Sequence, residues 1–127
     1  MKLSLVPKST PLTLETSEGD VELFITKFTV ADAEFREELM SSTWKDDSIP
    51  DYSKLNRFNI ARMMCAVKDK DGNYFFTGSI DDVRKSIAKE IIEAICKEVD
   101  VVNPIVVPTV DESGKPETAL NTKKKKS

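Results

Sequence analysis

The chain has 127 residues, a formal net charge of −3, a pI near 5.1 and no histidine. Without histidine there can be no Ser-His-Asp triad, no Cys-His pair and no imidazole metal ligand. A general acid or base would need a carboxylate, lysine or cysteine with a strongly shifted pKa. We therefore expect a protein that is not an enzyme and that has no cofactor, no bound metal and no small-molecule substrate.

The charge is unevenly distributed along the chain. Residues 103–127 hold five lysines and three acidic residues, a surplus of +2, so the remainder carries about −5. An acidic body offers no basic face for nucleic acid, and we expect no such partner. No stretch approaches the roughly 18 uninterrupted apolar residues of a membrane span, and the start lacks a secretory signal. We expect a cytoplasmic protein without a membrane partner.

The first predicted element is a β-hairpin in which residues 10–16 pair with residues 21–28. Apolar residues alternate along both predicted strands: Leu12, Leu14, Val21, Leu23 and Ile25. Residues 17–20 between them are of types that favour turns. Because a lone hairpin is only marginally stable in water, this one must pack on helices or on another subunit.

A first helix is predicted over residues 30–41. Thr29 is a suitable N-cap, and Asp32 follows at the spacing of a capping box. Helical periodicity then fades, so residues 41–51 are predicted to form a loop that carries Trp44. A loop tryptophan often packs back on its own domain, but aromatic residues are also enriched at binding hot spots. Trp44 is therefore a candidate interface residue.

Ser53 is the predicted N-cap of a second helix that is apolar nearly all the way round. Its apolar residues are Leu55, Phe58, Ile60, Ala61, Met63, Met64, Cys65 and Val67. Such a helix belongs at the centre of a domain or at a subunit interface. Methionine packs well in cores and also adapts to partner surfaces, so a core position and an interface position are both open interpretations here. The candidate protein-interface residues are Trp44, Leu55, Phe58, Met63 and Met64.

Residues 69–73 predict a tight turn at Gly72, followed by a short extended piece over residues 74–76. Ser79 begins the third main helix, of about 20 residues, with acidic residues in its first turn. Apolar residues recur there every three or four positions: Ile80, Val83, Ile87, Ile91, Ala94, Ile95 and Val99. Asn103-Pro104 ends the helix. The predicted fold is α+β, with an N-terminal β-hairpin and three main helices.

Composition divides the chain into a single domain over residues 1–104 and a tail over residues 105–127. The tail is mostly polar, small or lysine, which predicts disorder and flexibility. Its four lysines at 123–126 have three interpretations. They are a solvated end, a poorly supported nucleic-acid contact, or the product of an adenine-rich coding tract on which ribosomes slip. Cys65 and Cys96 lie 31 residues apart without a Cys-x-x-Cys motif, so buried free thiols are expected.

Five features follow one another between about residues 53 and 103. They are a helix ending in Cys65-Ala66-Val67, the turn Asp69-Lys70-Asp71-Gly72, the aromatic stretch Tyr74-Phe75-Phe76, an acidic helix start at 79–82, and an amphipathic helix ending at Asn103. In this order and spacing they resemble the tail assembly chaperones of long-tailed, lambda-like bacteriophages. The lysine run strengthens the resemblance, because short products of this family commonly end just past a slippery site.

The resemblance implies a non-enzymatic assembly factor of the host bacterial cytoplasm that is absent from the mature virion. It implies binding to the tape measure protein, recruitment of the major tail (tube) protein, self-association into a homo-oligomer and a longer frameshifted product. It transfers no functional residue, because the family has no catalytic motif to align. The alternative is a structural tail component, or a small regulatory protein-binding adaptor, that is retained in its complex.

Overall fold

The computed structural model describes residues 1–3, 5 and 9–104, together with the backbone of residues 109–110 and 116–117. The helices are α1 (Val30–Lys45), α2 (Asp51–Ala66), α3 (Ile80–Ser86) and α4 (Lys89–Val102), and the main sheet contains β1 (Ser9–Thr16), β2 (Gly19–Thr26) and β3 (Val67–Lys68). The predicted α+β class with an N-terminal hairpin is confirmed. The predicted flexible tail lies outside the described residues, except that β4 (Thr109–Val110) pairs with β5 (Pro116–Glu117).

The hairpin forms the N-terminal part of the sheet. β1 and β2 pair antiparallel from Ser9 opposite Thr26 to Thr16 opposite Gly19, and β3 pairs with the other edge of β2. Gly19 has φ 114°, a region that favours glycine, so the reversal occurs at the predicted turn. Leu23 and Ile25 are fully buried. The apolar alternation therefore turns one face of the hairpin toward the helices, as its low intrinsic stability requires.

Helix α1 begins with the predicted capping box. The Thr29 hydroxyl accepts from the Asp32 amide at 3.1 Å, and the Asp32 carboxylate accepts from the Thr29 amide at 2.9 Å. The helix continues to Lys45, so the prediction that residues 41–45 belong to a loop is wrong. Thr43 is buried and the Trp44 ring lies 5.9 Å from the Phe58 ring, which means that packing against α2 extends the helix.

Helix α2 runs through the centre of the domain. It starts at Asp51 after the N-cap Pro50, so the prediction of Ser53 as the cap is wrong. The φ of −63° at Pro50 is the value that the proline ring imposes, and the Ser53 hydroxyl instead accepts from Arg57 Nε at 3.3 Å. Every residue from 60 to 68 is buried. The second half of α2 thus forms the middle of the core.

The predicted third main helix is divided into α3 and α4. Ser79 and Asp82 form a capping box at its start and α4 ends at Asn103, but Ile87 (φ −107°, ψ 133°) and Ala88 (φ −61°, ψ 144°) are extended. Helix α3 buries Ile80 and Val83, whereas α4 buries Ile95, Val99 and Val102. On one continuous helix these two sets would point roughly 100° apart. The break therefore rotates α4 so that both sets reach one core.

A buried carboxylate joins α1 to the sheet and to the stretch after β3. Asp32 is 3% exposed and accepts from the Tyr74 hydroxyl at 2.7 Å and from Lys68 Nζ at 3.2 Å, besides the Thr29 amide. Burial by itself would raise the pKa of Asp32, but the hydrogen bonds from these three donors outweigh it and lower the pKa. Burial and the same carboxylate raise the pKa of Tyr74.

A second buried polar group fixes the end of α4. Arg62 is 4% exposed, pairs with Asp100 and donates to the Asn103 carbonyl at 2.7 Å. The Asn103 side chain accepts from the Phe28 amide at 2.8 Å and donates to the Thr26 carbonyl at 2.9 Å. The residue that stops α4 therefore also ties it to the end of β2, a contact that the sequence did not predict.

We expect Asp32→Asn to destabilise the domain at pH 7 by about 3–5 kcal/mol, because Lys68 would stay buried without its anion. The lowered pKa of Asp32 also has a pH signature. Its contribution is present above the unfolded-state pKa near 4 and is lost as the pH falls through the lower folded-state pKa. Urea unfolding of the wild type should show this acid loss, and the variant should show less of it. Asp20→Asn, on the exposed hairpin, is the control; identical pH profiles for Asp32→Asn and wild type would contradict the assignment.

Candidate protein-interaction surface

Large apolar side chains are exposed together where α1 ends and α2 begins. Trp44 is 46% exposed, Tyr52 72% and Leu55 60%, and half-buried Phe58 lies against the Trp44 ring. Tyr52, Leu55 and Phe58 follow at three-residue intervals along α2, so they are neighbours on its surface. We call these four residues the α1–α2 patch. It exists because the first two turns of α2 extend past the core that its second half fills.

The patch brings together three of the five residues predicted as interface candidates: Trp44, Leu55 and Phe58. Met63 and Met64 are fully buried, so the structure places them in the core of the single chain and away from this surface. Composition does not separate the two cases, because an all-round apolar helix suits either location. Tyr52 was not among the predicted interface residues. It lies three residues before Leu55, and helical spacing includes it only if the helix begins before Ser53, the predicted N-cap.

A cation–π contact and a hydrogen bond hold residues of the α1–α2 patch in place. The Arg36 guanidinium lies 5.5 Å from the centroid of the Phe58 ring and 5.9 Å from that of Phe28. Stacking of this kind favours a fixed ring position. Lys54 Nζ donates to the Trp44 carbonyl at 3.4 Å, which links the last turn of α1 to the first turns of α2. The aromatic residues are therefore held on two helices that brace each other.

A half-open groove of about 460 Å³ adjoins the patch between α2 and the α3–α4 break. Ile60, Ile87, Ile92 and Cys96 give it apolar walls, and Arg84 and Lys89 stand among its polar lining. Tyr52 belongs to both the patch and the groove. Asp81 accepts from Arg57 of α2 at 2.9 Å, which holds α3 beside α2 along this groove, and from Arg84 of its own helix at 3.0 Å.

The two cysteines are free thiols, as predicted; Cys65 is fully buried and Cys96 is half-buried. Burial raises the pKa of Cys65 to about 12 and that of Cys96 to about 11. Cys96 Sγ also lies 3.5 Å from the Asn59 carbonyl. Since the thiolate is the reactive form, neither thiol is activated as a nucleophile at neutral pH.

The part of the chain that the structure describes offers two further negative observations. Its cysteine, aspartate and glutamate residues form no group of three or more that could hold a metal ion. Among the same residues, no helix combines the length and apolar character that crossing a membrane requires. Among the described residues, we take the α1–α2 patch with its adjoining groove as the candidate site, because its aromatic and apolar side chains are exposed together.

No protein-family model matches the sequence, and no curated protein matches it either. Among solved structures, the bacteriophage HK97 tail assembly chaperone is similar, with a TM-score of 0.44 and 14% sequence identity. The similarity covers 74% of this chain and 85% of that one.

The burial of the two thiols predicts their labelling kinetics. At pH 8, Cys96 should react with an aromatic disulfide reagent roughly a hundredfold more slowly than a free thiol, because little of it is thiolate. Cys65 should react only when the domain unfolds. Cys96→Ser should remove the slow native phase and leave the phase seen in denaturant. Equal labelling rates for the two cysteines in the native protein would contradict the placement of Cys65 in the core.

Proposed function

We propose that this protein is a non-enzymatic phage tail assembly chaperone that binds its clients through the α1–α2 patch. The observation that carries the proposal is the joint exposure of Trp44, Tyr52 and Leu55 on two braced helices. Clustered exposed apolar residues mark sites of protein interaction, and aromatic residues dominate the binding energy at such sites. The sequence pattern of residues 53–103 supports the choice of chaperone class.

The proposed client is the tape measure protein, a long chain rich in helix. An aromatic surface held beside an apolar groove suits one face of an amphipathic helix, whose anchors recur every three or four residues. Tyr52 connects the patch to the groove, so one client helix can contact both. Many copies acting together as a homo-oligomer would cover exposed helical surface along the client until tube subunits replace them.

The remaining parts of the proposal concern assembly order and location. Recruitment of the major tail protein would follow from a longer frameshifted product that carries a second binding module, which raises the local concentration of subunits. The four lysines at 123–126 support this part, since lysine codons in series make an adenine-rich tract. The chaperone would act in the host cytoplasm and leave before the virion is complete.

The patch can be tested by co-expression with the tape measure protein of the same genome. Trp44→Ala combined with Leu55→Asp should lower affinity at least tenfold, because aromatic and apolar hot-spot residues typically contribute more than 1 kcal/mol each. Co-purification and the soluble fraction of the client are the readouts. Val30→Asp is the matched control, because Val30 is 77% exposed but lies at the other end of α1. Undiminished binding by the folded double variant would exclude the patch.

Mass spectrometry of purified virions separates the chaperone from the retained alternative. We expect this chain to be absent from virions, and we expect infected cells to contain a second product that shares its N-terminal part. The coding sequence for residues 123–126 should contain a slippery heptamer with an overlapping frame. A stoichiometric amount of the chain in virions would favour a structural tail component.

A further inference from the structure

The junction of α3 and α4 interrupts a helical apolar pattern without a glycine or a proline. Ile87 and Ala88 are extended, although neither is glycine or proline and alanine is the best helix former. Ala88 is the N-cap of α4 and makes no side-chain capping bond. Alanine is among the weakest N-cap residues. Arg84 and Lys85 in the last turn of α3 and Glu90 in the first turn of α4 suit helix ends, but no glycine or proline imposes the break.

Helix α4 carries two apolar stripes. The buried stripe contains Ile95, Val99 and Val102, with Ile92 half-buried beside it. A second stripe is exposed: Ile91 is 43% exposed, Val101 is 71% exposed and Ala94 between them is also exposed. In a continuous helix the second stripe, unlike the first, would line up with Ile80, Val83 and Ile87 of α3.

Tertiary contacts explain why the broken form is the one adopted by the single chain. Glu98 interrupts the exposed stripe, whereas the buried stripe has no charged member. The ion pair between Arg62 and Asp100 and the contacts of Asn103 hold the end of α4 in its rotated position. Tertiary contacts therefore favour the broken form of a segment whose second apolar stripe has the spacing of a continuous helix.

We propose that residues 80–102 are a two-state element. One state is the broken form described above, and the other is a continuous helix of about 23 residues, in which α4 is rotated by roughly 100°. In the continuous state the second stripe joins the face of α3, and Ile95, Val99 and Val102 turn away from the core. The broken state is the major form of the isolated chain and the continuous state is a minor one. This inference goes beyond the proposed function and does not rest on it.

The test traps the continuous helix in the purified chain. In a Cys96→Ser background, Lys85→Cys and Lys89→Cys place two exposed thiols one turn apart in a continuous helix, but on either side of two extended residues in the broken form. A short dibromide reagent that spans one helical turn bridges them only in the continuous state. Buried Cys65 does not compete. A second pair, Glu93→Cys with Lys97→Cys, lies within α4 and serves as the control.

Ala88→Pro supplies the decisive comparison. The φ of −61° at Ala88 suits proline, and the extended Ile87 before it has the conformation that a residue preceding proline prefers. Proline is thus compatible with the broken state and excludes the continuous one. We expect bridging of the 85–89 pair to be at least tenfold slower with Ala88→Pro, and intermediate with Ala88→Gly. Bridging of the 93–97 pair should be unchanged in both.

Three results would overturn the proposal. One is bridging of the 85–89 pair at the same rate with and without Ala88→Pro. Another is no bridging of that pair while the control pair bridges normally. The third is a bridged 85–89 chain that loses cooperative urea unfolding, because the continuous state would then not be a folded state. Normal bridging of the control pair shows that each variant has formed α4, and the Ala88→Gly result remains informative where Ala88→Pro fails to fold.

Discussion

The position of the first helix depends on one buried carboxylate. Asp32 accepts hydrogen bonds from Thr29, Lys68 and Tyr74, which come from three separate parts of the chain. A buried charge is costly unless it is paired and hydrogen-bonded, so these donors must arrive together. The same contacts that cap α1 therefore fix its start against β3 and the residues beyond the turn at Gly72. From that start, helix α1 runs to Trp44. The buried contacts of Asp32 therefore also set the position of the α1–α2 patch.

A different buried polar group sets the limits of the other half of the domain. Arg62, in the middle of α2, binds the end of α4 through Asp100 and Asn103, and Asn103 binds the end of β2. The start of α3 is held separately by Asp81 against Arg57. The start of α3 and the end of α4 are thus both anchored to α2 and the sheet. The buried residues of α3 and those of α4 would point in different directions on one continuous helix, so the chain must change direction between them. Ile87 and Ala88 are the residues at which it does so.

The features that could be predicted from the sequence are those decided by residues close together along the chain. The capping pairs Thr29–Asp32 and Ser79–Asp82, the turn glycines and the alternation in the hairpin all depend on residues within a few positions. One error was local, since Pro50 and not Ser53 caps α2; the others arose where distant contacts decide the outcome. Trp44 is helical because it packs on Phe58, and α3 and α4 are separate because two stripes must reach one core. The sequence pattern alone does not separate the exposed candidates Trp44 and Leu55 from Met63 and Met64, which are buried because of what surrounds α2.

The patch and the α3–α4 break are not independent features, since both border the groove along α2. Tyr52 contributes to the patch and the groove, and Ile87 and Ile92 from either side of the break line the same groove. A change from the broken to the continuous state would rotate Ile92 away and alter the groove beside Tyr52. A partner that contacts the groove would then bind the two states with different affinity, and by linkage its binding would bias the state of residues 80–102. Partner binding at the α1–α2 patch and the choice between the broken and continuous states would in that case be coupled through the exposed end of α2.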